Sequence, residues 1–156
     1  MQFIDESVIE EIINRFEDEK SYLEALGIML EAQPGIKDYL DQESLELLTN
    51  DEMALMIYLT TVIYSVSTLV CGTIRQIPTS SLEQSEDENW AIFNSSTQKS
   101  FSKILDQFFE NYEQEDLLAL VEDSIQQDED YPVTSVGAEI IFIGCKSLID
   151  VIHASN

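Results

Sequence analysis

The chain has 156 residues and a formal net charge of −24, from 31 acidic and seven basic side chains. A surface of this sign repels nucleic acid and anionic membranes, so we expect neither as a partner, and it attracts cations and basic proteins. The length and the 44% apolar composition predict a single domain over residues 1–156 with enough apolar side chains for a hydrophobic core.

The charge is arranged in four blocks along the chain. Residues 1–52 carry 15 acids and three bases, and residues 83–130 carry 14 acids and two bases. Residues 53–82 contain no acid and one base, and residues 131–156 contain two acids and one base. We therefore predict that the two charge-poor blocks form the interior and that the two acidic blocks form the solvent-exposed surface.

Apolar side chains recur at helical spacing through residues 5–33, which predicts either one kinked helix or two helices. In a capping box, a Ser or Thr side chain and a Glu three residues later satisfy each other's backbone N–H groups. The pattern predicts such boxes at Ser7 with Glu10 and at Ser21 with Glu24.

The first helical region ends at a proline. The polar run at residues 17–19 is the predicted break within it, and Pro34 followed by Gly35 stops it. Residues 36–48 are then predicted to form a shorter helix.

Residues 53–74 contain no charged side chain and are numerous enough to span a membrane. A membrane span would have basic residues clustered on one side, whereas Asp51 and Glu52 precede this run and only Arg75 follows it. Thr49 and Glu52 form a third predicted capping box, which is a start signal of a soluble helix. We therefore predict a buried helix of a soluble protein.

Small side chains predict close packing between this helix and the last one, over residues 134–153. Gly137 and Gly144 lie seven residues apart in the last helix, and a helix without side chains at two such positions can approach a neighbour closely. The partner stripe on residues 53–74 has small side chains at helical spacing: Thr61, Ser65, Thr68 and Gly72.

The last helix also carries three charged residues along one face. Lys146 and Asp150 have the i,i+4 spacing of a helical ion pair, and we expect this face at the solvent edge. Whether Glu139 is buried stays open at this point.

Residues 75–96 are predicted to form a long acidic loop, because a proline and several serines interrupt the apolar pattern. The segment contains the acidic tract Glu86, Asp87 and Glu88, and the only tryptophan, Trp90. Two interpretations of the indole remain: it folds back against the edge of the core, or it is an exposed anchor for a partner.

Two amphipathic helices are predicted on either side of a bend at residues 113–116, and a further loop is predicted at residues 128–132. Four acids lie at or next to the bend: Glu110, Glu113, Glu115 and Asp116. These four side chains are the first candidates for binding a partner, and the tract with Trp90 is the second.

No catalytic residue, cofactor or metal ion is predicted. The only histidine, His153, is expected to be solvated near the end of the chain, so Cys71 and Cys145 have no base to activate them. Both cysteines are predicted to be buried free thiols, with a disulfide as the alternative. No glycine-rich phosphate loop occurs, and a zinc site of Cys and His is excluded by their number.

One enzymatic alternative depends on carboxylates alone. All-α nucleotide pyrophosphohydrolases hold Mg²⁺ with acids one helical turn apart, and Glu110, Glu113 and Asp116 have this spacing. Such spacing is also expected by chance where one residue in five is acidic.

We therefore predict an all-α, single-domain bundle of five to seven helices, with two charge-poor central helices at residues 53–74 and 134–153. The expected function is non-enzymatic binding of a basic protein partner, as in acidic immunity proteins and DNA mimics, which share this compositional class but no motif. The alternatives are the Mg²⁺-dependent hydrolase and an acidity that serves only solubility. The N-terminus lacks the pattern of a signal peptide, so we expect a cytoplasmic protein. A homo-oligomer stays open.

Overall fold

The computed structural model describes residues 2–126 and 133–155, and its regular secondary structure in these ranges is entirely helical. The eight α-helices are α1 (Glu6–Arg15), α2 (Glu19–Ala32), α3 (Pro34–Leu40), α4 (Asn50–Cys71), α5 (Thr79–Ser95), α6 (Phe101–Phe109), α7 (Glu115–Ser124) and α8 (Ser135–Ser155). The all-α prediction is confirmed, but the described part has eight helices rather than five to seven. The loop predicted at 128–132 lies outside the described residues.

The first apolar region forms two helices, α1 and α2, and aspartates cap both of them. Asp5 accepts hydrogen bonds from the backbone N–H groups of Ser7 at 2.8 Å and Val8 at 3.3 Å. Asp18 accepts from the backbone of Ser21 at 3.1 Å. The capping boxes predicted at Ser7 and Ser21 are therefore wrong, because Asp5 and Asp18, which precede these serines, occupy the N-cap positions.

Residues 36–48 do not form one helix. Pro34 is the first residue of α3, which ends at Leu40, and a 3₁₀ helix follows at Glu43–Leu47. The buried Gln33 carboxamide, between α2 and α3, accepts a hydrogen bond from the backbone of Ile77 at 2.9 Å and donates to the carbonyl of Arg75 at 3.0 Å. It thereby fixes the extended segment that follows α4.

Helix α4 starts with the capping box predicted at Thr49 and Glu52, which is confirmed. Among the described residues, α4 is the one helix long and apolar enough to cross a membrane, with a mean hydropathy of 1.8 over a window that is 50% buried within the protein.

The predicted close packing of the last helix on this one is found, but at a different place. Gly137 and Gly144 of α8 lie against Glu52 and Met56, in the first half of α4. The stripe of small residues lies further along α4, where Ser65 and Thr68 face a cavity beside α1 and α2.

The predicted loop at residues 75–96 is mostly a helix. Helix α5 spans Thr79–Ser95 and packs against α3 and α8. Its buried positions are Leu82, Ser85 and Asn89, which recur at helical spacing. Because two of these three side chains are polar, the apolar periodicity that reveals most helices is missing here, and the loop prediction is wrong.

Candidate functional site

A polar network centred on Asp150 joins α5, α8 and the link between α6 and α7. The Tyr112 hydroxyl donates to Asp150 Oδ1 at 2.6 Å, and Asn89 Nδ2 donates to Asp150 Oδ2 at 3.1 Å. Lys146 Nζ donates to the same Oδ2 at 2.7 Å and to Asn89 Oδ1 at 3.0 Å. Both carboxylate oxygens therefore have donors, as a largely desolvated carboxylate requires.

Lys146 is buried in this network, with only 7% of its surface exposed. Its ammonium lies 4.7 Å from the centroid of the Tyr112 ring and 5.5 Å from that of Phe108. The predicted pair with Asp150 is confirmed. The predicted position at the solvent edge is wrong for Lys146, because aromatic rings from α6 and the following link cover this face of α8.

Burial raises the pKa of Tyr112, and the neighbouring charge of Asp150 raises it further. The phenol therefore stays protonated and remains the donor to Asp150 at physiological pH.

The network brings together the two acidic segments that the sequence offered as partner-binding candidates. Asn89 directly follows Glu88 in α5, and Tyr112 directly precedes Glu113 in the link between α6 and α7. The side chains of Asn89 and Tyr112 contact the two oxygens of one Asp150 carboxylate, so the two segments are linked through a single side chain. The separation of the two segments in the sequence did not predict this shared contact.

At the bend between α6 and α7, Asn111 has a φ of 56°, which turns the chain sharply after α6. Asp116 is half-buried, and its Oδ2 accepts a hydrogen bond from the backbone N–H of Glu6 at 2.9 Å. Asp116 therefore helps to attach α1 to α7. The other three candidates at the bend are exposed: Glu110, Glu113 and Glu115.

The one-turn spacing of Glu110, Glu113 and Asp116 is not realised on a single helix. Helix α6 ends at Phe109 and α7 begins at Glu115, so the three acids lie on different elements. Within residues 2–126 and 133–155, no group of three or more His, Cys, Asp or Glu side chains is placed to hold a metal ion.

On α5, Asp87 and Glu88 are exposed, whereas Glu86 is half-buried. Glu86 Oε1 accepts a hydrogen bond from Trp90 Nε1 at 3.3 Å. The half-buried indole packs against the core, with its ring edge-on to Phe93 at a centroid distance of 5.5 Å. Trp90 therefore lies at the boundary between the core and the exposed acids of α5.

His153 is not solvated as predicted. Its Nδ1 lies 3.3 Å from Gln114 Nε2, a donor, so Nδ1 accepts and the proton is assigned to Nε2, 3.2 Å from Ser67 Oγ. Burial lowers the pKa of His153 to about 4, and the ring is neutral at physiological pH. Gln114 also contacts the backbone of Gln2 and Ile4, so these contacts hold the first residues of the chain against α8.

Both cysteines are free thiols. Burial raises the pKa of Cys145 to about 12, which keeps its thiol protonated. Cys71 is half-buried rather than buried as predicted.

Comparison with known proteins assigns no role to these residues. No protein-family model matches it, and no curated protein or solved structure gives a significant match.

Proposed function

We propose that the chain is a non-enzymatic interaction protein that binds a basic protein partner through an acidic face. The observation that supports this most is that Asn89 of α5 and Tyr112 at the bend between α6 and α7 both bond to Asp150. We call the exposed carboxylates of these two segments the acidic face, which consists of Asp87, Glu88, Glu110, Glu113 and Glu115.

Grouped carboxylates of one sign produce a negative potential that attracts a basic partner over several ångströms. Such attraction acts mainly on the association rate, and added salt screens it. Lys146 lies close behind this face but is engaged by Asp150 at 2.7 Å, so its charge is compensated within the network.

The same proposal places α4 and α8 at the centre of one domain. Their apolar side chains supply a large part of the buried core, including Val62, Ile63, Val66, Ile141, Phe142 and Ile149. With the charge-poor helices inside, most of the acidic residues are left at the surface, which is the distribution that binding of a basic partner requires.

The proposal is tested with the triple variant Glu110→Lys, Glu113→Lys and Glu115→Lys. Asp116 is left unchanged, because it bonds to the backbone of Glu6. The matched control changes three exposed acids on other elements to lysine: Glu10, Glu31 and Glu46. The partner used is the basic protein that the immobilised chain retains at low salt. We expect the first variant to associate with it several-fold more slowly than the control variant does.

Stopped-flow association rates at several salt concentrations provide the measurement. Binding that ignores both salt and the triple substitution would contradict the proposal. Hydrolysis of nucleoside triphosphates with Mg²⁺ would favour the enzymatic alternative. Unfolding at low salt would favour the alternative that the acidity serves only solubility.

We also propose that the protein is cytoplasmic and soluble. Cell fractionation tests this directly, because full-length protein that leaves the membrane pellet only with detergent would indicate that α4 enters a bilayer.

A further inference from the structure

A cavity of about 500 Å³ opens between α6, α7 and the start of α8, within the size range of ligand pockets in proteins. Apolar side chains that are at most 6% exposed form its floor, namely Leu105, Ile125 and Ala138. Each of the three helices also contributes one carboxylate to the lining: Asp106, Glu122 and Glu139. No lysine, arginine or histidine occurs among the described residues that line it.

Glu122, in the lining of this cavity, lies near other negative charges. Burial raises the pKa of Glu122, and the negative charges of Asp106 and Asp123 raise it further. A positive charge placed in the cavity would offset this repulsion and favour the ionised form of Glu122. The cavity is therefore complementary in charge to a cation.

The shape of the cavity distinguishes between kinds of cation. Its lining combines three acids with buried apolar side chains, and among the described residues these acids form no group placed to hold a metal ion. Lysine and arginine side chains match this arrangement, because they bury an aliphatic stem against apolar surface and keep the charged end at a polar rim.

We propose that this cavity binds a lysine or arginine side chain of the basic partner. The stem packs against Leu105 and Ala138, and the charge lies among Asp106, Glu122 and Glu139. This inference rests on the proposed function and adds to it a specific anchor, since a side chain buried in a pocket contributes more to affinity than contacts at the rim.

Helix α6 links the cavity to the acidic face. Asp106 lines the cavity, and Glu110 follows it four residues later at the end of α6, where the acidic face begins. A basic segment of a partner that lies along α6 would therefore contact both.

The test uses the full chain and acetylated tetra-arginine amide as the probe, with the tetra-glutamine peptide as the uncharged control. Binding at low salt is followed by NMR on the methyl groups of Leu105, Ile125 and Ala138. The variant Asp106→Asn, Glu122→Gln and Glu139→Gln is compared with a control that loses three charges elsewhere, Glu10→Gln, Glu31→Gln and Glu46→Gln. We expect the cavity variant to bind about fivefold more weakly and the control to change by less than about twofold.

Two further readouts separate an anchor from a merely structural role. The peptide should lower the pKa of the Glu122 carboxyl, followed by the chemical shift of its carboxyl carbon, because a nearby cation favours the ionised form. The variant Glu122→Gln alone should bind the peptide more weakly while the chain melts no lower than wild type, because the substitution removes a repelled charge. This single variant keeps the test valid if the triple variant does not fold.

Each outcome decides between the two proposals. Peptide binding that leaves the methyl signals of Leu105, Ile125 and Ala138 unchanged, and that both triple variants weaken equally, would overturn the anchor and leave the proposed function in place. Absence of any binding of the tetra-arginine peptide at low salt would overturn both.

Discussion

Gly137 lies directly against the carboxylate of Glu52, so that a Cβ atom at residue 137 would be 2.1 Å from Glu52 Oε2. The same Oε2 accepts hydrogen bonds from the backbone N–H of Thr134 at 2.6 Å and from its hydroxyl at 2.8 Å, while Oε1 accepts from the backbone N–H of Thr49. One carboxylate, 1% exposed, therefore joins the start of α4 to the start of α8. Burial raises the pKa of Glu52, but these hydrogen bonds outweigh it and lower the pKa overall.

Two glycine substitutions should have opposite effects on stability. Gly137→Ala would displace the Glu52 carboxylate and break its hydrogen bonds, so we expect a loss of about 2 kcal/mol even after the gain in helix propensity. At Gly27 in α2, an added Cβ meets nothing within 4 Å, and Gly27→Ala should stabilise by about 0.5–1 kcal/mol. Urea unfolding measures both, and stabilisation by both substitutions would show that the Glu52 contact is easily relaxed.

The buried ion pair of α8 and an exposed pair of the same spacing should contribute differently to the free energy of unfolding. Lys146→Met leaves Asp150 without its cation, and we expect a loss of about 2 kcal/mol, reduced from the value for a fully buried pair because the Asp150 side chain is 28% exposed. Lys37→Met removes the exposed pair with Asp41 and should change the free energy of unfolding by at most about 0.5 kcal/mol. Equal losses in urea unfolding would mean that burial of Lys146 adds nothing.

Aspartate substitutions along α4 should separate its buried side from its exposed side. Ile63 and Val66 are 0% exposed, whereas Leu69 is 53% exposed on the same helix. Ile63→Asp or Val66→Asp should unfold the domain, because an unpaired charge in the core costs several kcal/mol, and Leu69→Asp should leave it folded. Circular dichroism and the melting temperature give the result. Native melting of the first two variants would place this part of α4 outside the core.

His153 should make stability depend on pH in a defined window. Burial lowers its pKa from 6.5 to about 4 in the folded state, so on acidification the unfolded chain takes up this proton first. The contribution of His153 to the free energy of unfolding is therefore constant above about pH 6.5, falls as the pH drops towards 4, and stays reduced below that.

We expect this loss to be about 1–2 kcal/mol, after allowance for solvent screening of a half-buried ring. The variant His153→Gln isolates it, since the titration of the carboxylates affects both proteins and cancels in the difference. Relative to the variant, the wild-type protein should lose free energy of unfolding as the pH is lowered from 7 to 5. A difference that is the same at both values would contradict the assigned burial of the ring.

Much of the local structure was predictable because its signals lie within a few residues of one another. The break between α1 and α2, the end of α2 just before Pro34 and the capping box of Thr49 and Glu52 each depend on near neighbours in the chain. The all-helical class follows in the same way, from apolar side chains repeated at the period of one helical turn. The candidate acids were likewise visible as runs of like charge.

Only the tertiary structure decided which polar residues are buried and which acids lie together. Asn89 reaches Asp150 across 61 residues, and Ser67 reaches His153 across 86. The helical character of α5, the burial of Lys146 and the cavity at Glu122 all depend on such distant contacts. Hydrophobic periodicity carries no record of them, because a buried Asn or Lys looks the same in sequence as an exposed one until its hydrogen-bond partner is known.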